Sequence, residues 1–297
     1  MSLLNNFTKH KFIDSWVNLK SNIKNRFWSK SFKGEVREIN PSKDYSIVFE
    51  DNFKGPLDLN DWRYAMPWGD FHPGALHQYY DNNGTLSYVS PEGLVLELRK
   101  IPKKIIKREL PDWRQTDKMS DEFVIPVGVG FVSTKKSWKY GWFESSIKLP
   151  KGKSYWNAFW LCGEDTWPPE IDIFEGYSDE GPEYQSGKSK NRKIQPNLHY
   201  GVVEDGTKKM YSPFNNTIAD ATERFVQYVC HWEEGFIKIY YDGKLVFQCT
   251  DPKILSWYNK PNSQQFLILN HGLHEHKTEN PDESAMIIKN VKVYQKK

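Results

Sequence analysis

The chain has 297 residues, of which 38% are apolar, and its formal net charge is +3. This length allows one large all-β domain or two ordinary ones, and no apolar run is long enough to predict a membrane span. The charge is uneven, because residues 1–34 carry seven Lys or Arg and one Asp while the remainder is slightly acidic. Apart from that short basic arm, nothing indicates nucleic acid as a partner.

The three cysteines, Cys162, Cys230 and Cys249, lie among apolar residues at spacings that fit neither a disulfide framework nor a zinc site. We therefore expect buried free thiols. The N-terminus has no apolar run followed by a small-residue cleavage site, so we predict no secretory signal. The location stays open between the cytoplasm, release on lysis, and carriage on a virus particle or surface.

Residues 3–28 are predicted to form an amphipathic helix with a basic outer face. Its apolar side chains recur at spacings of three and four: Phe12, Trp16, Leu19, Ile23 and Phe27. We treat residues 1–44 as an N-terminal extension of a domain that spans residues 45–297. We expect the helix to dock on that domain or on a partner rather than on an anionic membrane surface, because no lipidation signal accompanies it.

From Asp44 onward, short apolar segments alternate with turn residues, which predicts a series of β-strands. Asp242-Gly243 between two such segments predicts a type I′ hairpin turn. Many strands without long helices between them indicate an all-β, antiparallel sandwich. The long segment 99–126 begins with a basic run at 99–108, which is either a reader of anionic groups on a substrate or a solvated charge run.

The segment Trp167–Tyr177 alternates acidic and apolar side chains, as a strand with one wet and one buried face does. Glu170 and Asp172 share the wet face of that strand. Glu175 would point to the opposite face unless a β-bulge near Ile173-Phe174 restores its phase. Crowded carboxylates repel, which raises the pKa of one of them, and such a pair suits glycoside cleavage. The alternative interpretation is a solvated sheet face without catalysis.

The order of motifs resembles glycoside hydrolase family 16, in its bulged laminarinase, agarase and carrageenase branch. Glu170–Glu175 resembles the E-x-D-x-x-E active-site strand of that family. Further motifs resemble the family on both sides of this strand: 50–62, 140–150, 156–161, 237–246 and 291–295. The resemblance implies a curved antiparallel β-jelly-roll sandwich of the concanavalin A-like type, whose concave face holds an extended polysaccharide.

The resemblance also implies a retaining mechanism with three catalytic residues. Glu170 is the expected nucleophile, Glu175 the expected acid/base, and Asp172 lies between them and tunes both. The expected substrate-binding residues are Trp68, Glu144, Trp156, Trp160, His199 and Asn270. For the Trp156 and Trp160 rings the alternative is core packing, and for His199 it is a hydrogen bond inside the sandwich.

The sequence departs from the family pattern at two positions. Ser146 stands where the family often has Arg, so a contact to the donor-side sugar is either missing or supplied by Arg63. Lys289 stands where many members have an Asp that binds structural calcium. We therefore predict no cofactor and no metal.

The predicted function is an endo-acting retaining glycoside hydrolase that cleaves a β-linked glucan or galactan, with a sulfated chain left open. One alternative is a non-catalytic carbohydrate-binding sandwich, which the three clustered acids argue against because a lectin gains nothing from their repulsion. Another is a transglycosylase with the same carboxylates, since both reactions pass through the same covalent intermediate. Transglycosylating relatives usually lack the bulge, which favours hydrolysis.

Overall fold

The computed structural model describes residues 38–297 except 68, 72–76, 111, 113–114, 116–118, 153–154, 178–191, 203–205, 207, 212–215, 219 and 274–281. The predicted helix at 3–28, most of the extension 1–44, and Trp68 lie outside the described residues. In the part of the chain that is described, no helix has the length and apolar character needed to cross a bilayer.

The described residues form a β-sandwich with one short α-helix, α1 (Pro252–Tyr258), and one 3₁₀ turn at Lys107–Glu109. The strands in chain order are β1 (Tyr45–Asp51), β2 (Trp62–Tyr64), β3 (Gln78–Tyr80), β4 (Ser87–Ser90), β5 (Gly93–Arg99), β6 (Lys103–Ile106), β7 (Glu122–Ile125), β8 (Val127–Val129), β9 (Phe131–Trp138), β10 (Gly141–Lys148), β11 (Trp156–Gly163), β12 (Glu170–Tyr177), β13 (Arg192–Tyr200), β14 (Lys209–Tyr211), β15 (Asn216–Ile218), β16 (Val226–Glu233), β17 (Phe236–Tyr241), β18 (Lys244–Cys249), β19 (Gln265–Asn270) and β20 (Ser284–Lys296).

Two large sheets carry the fold. The first, which we call the outer sheet, has ten strands in the order β18-β17-β16-β10-β20-β5-β8-β3, with β1 beside β20 and β4 beside β5. The second, the cleft sheet, has eight strands in the order β14-β13-β12-β11-β19-β9-β2, with β15 beside β13. Among the described pairings only β3 with β8 is parallel. The predicted antiparallel sandwich is confirmed.

The main core lies between the two sheets, because every second side chain of each strand points inward. From the outer sheet Phe143 and Ile147 enter it, and from the cleft sheet Phe159 and Leu161 meet them. All four side chains are fully buried. This alternation leaves the other face of the cleft sheet to carry the polar residues of β12.

Two local predictions are confirmed. Cys162, Cys230 and Cys249 are free and buried. The β17–β18 hairpin turns at Asp242 and Gly243 with φ values of 46° and 73°, and a type I′ turn requires positive φ at both central positions.

Three of the six cations in the basic run at 99–108 form ion pairs within the protein. Lys103 Nζ lies 2.5 Å from an Asp70 oxygen, and Lys104 Nζ lies 2.6 Å from an oxygen of Glu122 across the β6–β7 pair. Arg99 pairs in the same way with Glu97 at 2.6 Å. Of the two interpretations of this run, these contacts favour the structural one.

Candidate active site

Strand β12 carries the β-bulge that its sequence predicts. On the side of β13, Asp172 pairs with Asn197 and Glu175 pairs with Gln195, so the two residues Ile173-Phe174 lie opposite a single residue of the partner strand. The register against β11 shifts at the same point. One extra residue inverts the alternation of side chains beyond it. Glu175 is therefore returned to the face that Glu170 and Asp172 occupy.

Neighbouring strands define this face. The partners of Glu170, Asp172 and Glu175 across β11 are Cys162, Trp160 and Ala158. Their partners across β13 are His199, Asn197 and Gln195. The residues of β12 that point the other way, into the main core, are Ile171, Ile173 and Phe174. The three acids thus form one row on the face of the cleft sheet that points away from the main core.

Two buried tyrosines fix the backbone of this row. The Tyr241 hydroxyl donates to the carbonyl of Ile173 inside the bulge at 2.8 Å. The Tyr258 hydroxyl, at the end of α1, lies 2.9 Å from the carbonyl of Glu170 and 2.8 Å from that of His199. A tyrosine hydroxyl that satisfies a buried carbonyl holds the strand in one place, because breaking the contact leaves a polar group unpaired.

The carboxylate of Glu170 is held at both oxygens. Trp167 Nε1 donates to Oε2 at 2.7 Å, and His199 Nε2 lies 3.2 Å from Oε1. The same His199 nitrogen lies 3.4 Å from Asp172 Oδ2. His199 therefore faces the cleft beside the acids, as the resemblance implies.

Burial and mutual repulsion disfavour charge on the Glu170–Asp172 pair. Desolvation, followed by the Asp172 charge, raises the pKa of Glu170 to about 8, although His199 and the Trp167 hydrogen bond oppose the shift. Desolvation and the charge of Glu175 raise the pKa of Asp172 well above its usual range. The two carboxyl groups lie close enough to titrate as a pair. We infer that the substrate-free pair retains a proton at neutral pH.

Glu175 has a different environment, with an N–H donor at each oxygen. Trp156 Nε1 donates to Oε1 at 2.8 Å, and Asn197 Nδ2 donates to Oε2. Gln195 Nε2 in turn donates to Asn197 Oδ1 at 2.8 Å. Trp156 thus lies beside the acids, with its indole nitrogen donating to Glu175, and its contact with substrate stays a prediction.

The predicted stacking role of Trp160 is wrong. Its ring is 6% exposed and packs with Phe266 and Ile268 in a second apolar cluster on the concave side, which Tyr155 and Leu273 join. This cluster covers the part of the concave face where Trp160 lies, so core packing is the correct alternative. The indole nitrogen donates to Asn270 Oδ1 at 2.8 Å.

Asn270 is likewise enclosed. It is fully buried, and its Nδ2 has no hydrogen-bond partner among the described residues. Its contact with Trp160 supports the floor of the cleft. The Asn270 side chain presents no surface to solvent, which corrects the prediction of direct substrate contact.

Glu144 lies in the other sheet, so its predicted place in the cleft is wrong. It belongs to β10 of the outer sheet, where its neighbour Phe143 points into the core. Glu144 therefore points to the outer face, where it accepts from Trp142 Nε1 at 2.8 Å. The motif correctly predicts a strand around Glu144. Strand alternation alone, however, does not indicate which sheet a strand joins.

Arg63 on β2 uses its guanidinium within the protein. Nη2 donates to the carbonyl of Thr134 at 2.8 Å, and the group lies 5.3 Å from the ring centroid of Phe266. These contacts anchor the edge strand. Trp68, the sixth predicted binding residue, lies outside the described residues.

Two places in the described structure bear on metal ligation. Among the described residues, one group has metal-ligand spacing, namely Glu170, Asp172 and His199, with one ligand atom each within 4.8 Å of one another. These atoms already pair with each other. At the position expected for structural calcium, the Lys289 ammonium lies 5.9 Å from the ring centroid of Phe225, and an ammonium group cannot ligate a cation. The absence of metal remains a prediction.

Sequence patterns do not assign five residues of the site: Trp167, Gln195, Asn197, Tyr241 and Tyr258. Alternation from His199 along β13 could have placed Asn197 and Gln195 on the same face. Nothing in the local pattern indicates Tyr258, which approaches from a distant helix.

Comparison with known proteins agrees with this geometry. The sequence model described as Glycosyl hydrolases family 16 matches residues 77–286. A glucan endo-1,3-beta-glucosidase of Cryptopygus antarcticus is 26% identical over 54% of this chain and 52% of its own length. Glucan endo-1,3-beta-glucosidase A1 of Niallia circulans is 25% identical over 82% of this chain and 38% of its own length. The chain thus spans about half or less of these curated relatives.

A solved structure extends the likeness to the whole fold. The crystal structure of a non-specific endo-β-1,3(4)-glucanase superimposes with a TM-score of 0.65. It is 25% identical and covers 91% of this chain and 99% of its own.

Proposed function

The chain belongs to glycosyl hydrolases family 16, and from this premise we propose that it is an endo-acting, retaining hydrolase of a β-linked polysaccharide. The observation that carries the proposal is the bulge in β12. It brings Glu170 and Glu175 onto one face, with Asp172 between them. A retaining glycosidase needs two carboxyl groups that flank the scissile bond, about 5–5.5 Å from each other.

In the proposed mechanism Glu170 attacks the anomeric carbon and Glu175 protonates the departing glycosidic oxygen. A glycosyl ester of Glu170 forms and the sugar on the leaving side departs. Water then attacks the anomeric carbon, Glu175 takes its proton, and the Glu170 carboxylate is released. Trp167 and His199, which hold one Glu170 oxygen each, orient the nucleophile. Asp172 shares His199 with Glu170, and its charge disfavours the ionised form of Glu170.

We propose a β-glucan as the substrate class. The two curated relatives are named as endo-1,3-β-glucosidases of glucan, and the solved structure as an endo-β-1,3(4)-glucanase. A β-galactan is the alternative within the same mechanism. A sulfated chain has less support, because three of the six cations in the run at 99–108 are paired with Asp70, Glu97 and Glu122.

The function is tested on a panel of neutral and sulfated β-glucans and β-galactans, read by reducing-end release and by the size of the products over time. We expect a mixture of intermediate oligosaccharides from a β-glucan at early times, as an endo-acting enzyme gives. Glu170→Gln and Glu175→Gln should each lower the rate by at least about 100-fold. Glu92→Gln, an exposed change, serves as the matched control. Full activity in either site variant would refute the assignment.

The same panel addresses the alternatives. A protein that binds a glucan in a pull-down but releases no reducing ends is a non-catalytic binding module. Products longer than the supplied oligosaccharide indicate transfer to sugar rather than to water.

A further inference from the structure

The contacts around Glu175 assign a role to Asn197, which lies on β13 directly opposite Asp172. Asn197 is 1% exposed and has its amide turned to the concave face. Its Nδ2 donates to Glu175 Oε2. A buried side-chain amide that reaches a catalytic carboxyl group fixes where that group points.

The orientation of the Asn197 amide is itself determined. Gln195 Nε2 donates to Asn197 Oδ1 at 2.8 Å, so the oxygen of Asn197 faces Gln195 and its nitrogen faces Glu175. Alternate residues of one strand lie on the same face, which places Gln195 and Asn197 in line beside the catalytic row. Gln195 thus holds the side-chain amide of Asn197, and that amide in turn holds the carboxyl group of Glu175.

The opposite oxygen of Glu175 is held from another strand. Trp156 Nε1 donates to Oε1 at 2.8 Å across the β11–β12 pair. With one donor on each oxygen, Glu175 is restrained on both sides. Loss of either donor frees rotation of the carboxyl group about its last side-chain bond, and a small misplacement of a catalytic group costs up to about 100-fold in rate.

We propose that Asn197, oriented by Gln195, is a positioning residue that aims the acid/base Glu175 at the leaving oxygen. This inference rests on the proposed function, because it takes Glu175 as the group that protonates the leaving sugar. It also predicts a signature that general loss of folding does not produce. A defect in proton donation matters for a sugar leaving group and matters little for a leaving group that departs without a proton.

The test compares two substrates in the full chain. One is a soluble β-1,3-glucan, and the other is a dinitrophenyl β-laminaribioside, whose phenolate leaves unaided. In Asn197→Leu we expect kcat/KM to fall about 10- to 100-fold on the glucan and less than about threefold on the aryl glycoside. Asn290→Leu, the same chemical change in the outer sheet, should leave both values within about twofold. Asn290 accepts from the Ser146 backbone and lies far from the catalytic row in the topology.

Equal losses on both substrates, or no loss on either, would overturn the positioning role. If Asn197→Leu fails to fold by circular dichroism, Asn197→Asp replaces it, since it keeps the shape and removes the N–H donor. The same split is expected from that variant. Failure of the proposed function is distinct. It appears as an unmodified protein that cleaves neither substrate, or as a Glu175→Gln variant whose losses on the two substrates are equal.

Discussion

At the scale of single residues, the two glutamates of the site, Glu170 and Glu175, have different surroundings. Glu170 is enclosed and lies beside Asp172, so that burial and a like charge disfavour its ionised form. Glu175 receives an N–H donor on each oxygen. The carboxylate that we propose as the nucleophile is therefore the one whose charged form the fold disfavours, and such a loss of stability is a common cost of a functional site.

The first prediction concerns stability and pH. The folded-state pKa of Glu170, about 8, lies above the reference value of 4.5, so the folded protein binds this proton more tightly than the unfolded chain. The stability due to this proton is complete below pH 4.5 and is lost as the pH rises to 8. Glu170→Gln avoids that loss, so we expect a Tm about 4 °C higher than that of the unmodified protein at pH 8 and an unchanged Tm at pH 4.

Differential scanning calorimetry at the two pH values measures this effect, with the exposed change Glu92→Gln as the control. A lower Tm for Glu170→Gln at pH 8 would show that the buried charge is better compensated than its surroundings indicate.

The second prediction concerns activity and pH. The nucleophile has to be ionised, so the acid limb of kcat/KM should lie well above 4.5, towards 8. The charge of Asp172 is the second cause of the raised pKa of Glu170. Asp172→Asn removes that charge and should move the acid limb to lower pH, while the maximal rate falls. The exposed change Asp165→Asn should leave the limb in place, and a shift of the Asp172→Asn limb to higher pH would contradict the account.

At the scale of elements, the bulge in β12 is the feature that creates the catalytic row. It is held from the outer sheet by the Tyr241 hydroxyl, which donates to the Ile173 carbonyl. Neighbouring Tyr228 is also fully buried, with its ring 5.3 Å from that of Tyr241, but its hydroxyl has no hydrogen-bond partner among the described residues.

The third prediction uses these two tyrosines as a matched pair. Tyr241→Phe leaves the Ile173 carbonyl without its donor, so it should cost about 1–3 kcal/mol of unfolding free energy and lower kcat. Tyr228→Phe removes a hydroxyl that makes no such contact and should be neutral or stabilising. Urea denaturation followed by tryptophan fluorescence measures both. Equal effects of the two substitutions would mean that the Tyr241 hydrogen bond does not support the bulge.

The elements of the site differ in how far the sequence determines them. The phase break between Glu170 and Glu175 predicts the bulge, because side-chain alternation has a period of two and only an extra residue restores the face. Alternation says which face a residue takes, but not which sheet its strand joins or what covers that face. For this reason the sequence pattern places Glu144 in the wrong sheet and Trp160 on an open surface. It also gives no indication that Tyr258 approaches the site.

At the scale of the molecule, the described contacts of the catalytic row come from residues between Trp156 and Tyr258, on the cleft sheet, α1 and β17. The first described residues contact the outer sheet. There the backbone of Ile39 makes two hydrogen bonds with the side chain of Gln227 on β16. This arrangement supports the proposal that the catalytic unit is the domain from residue 45 onward and that the basic extension serves docking or partner contact.

The fourth prediction follows from that separation. Removal of residues 1–37 should leave kcat/KM on a β-glucan within about twofold, because the described side-chain contacts of Glu170, Asp172 and Glu175 come from Trp156, Trp167, Asn197 and His199. Steady-state kinetics of the shortened and full chains provide the comparison. A loss of tenfold or more at an unchanged Tm would place the extension in the catalytic unit.

The central claim is that Glu170 forms a covalent bond with the substrate. Its most direct measurement is mass spectrometry of the protein after incubation with a 2-deoxy-2-fluoro β-laminaribiosyl fluoride, which slows breakdown of the glycosyl-enzyme. We expect the mass to increase by one glycosyl group, which peptide analysis should locate on Glu170. The Glu170→Gln variant should show no increase. A label on Glu175 or another residue would contradict this assignment. So would cleavage of glucan by the Glu170→Gln variant.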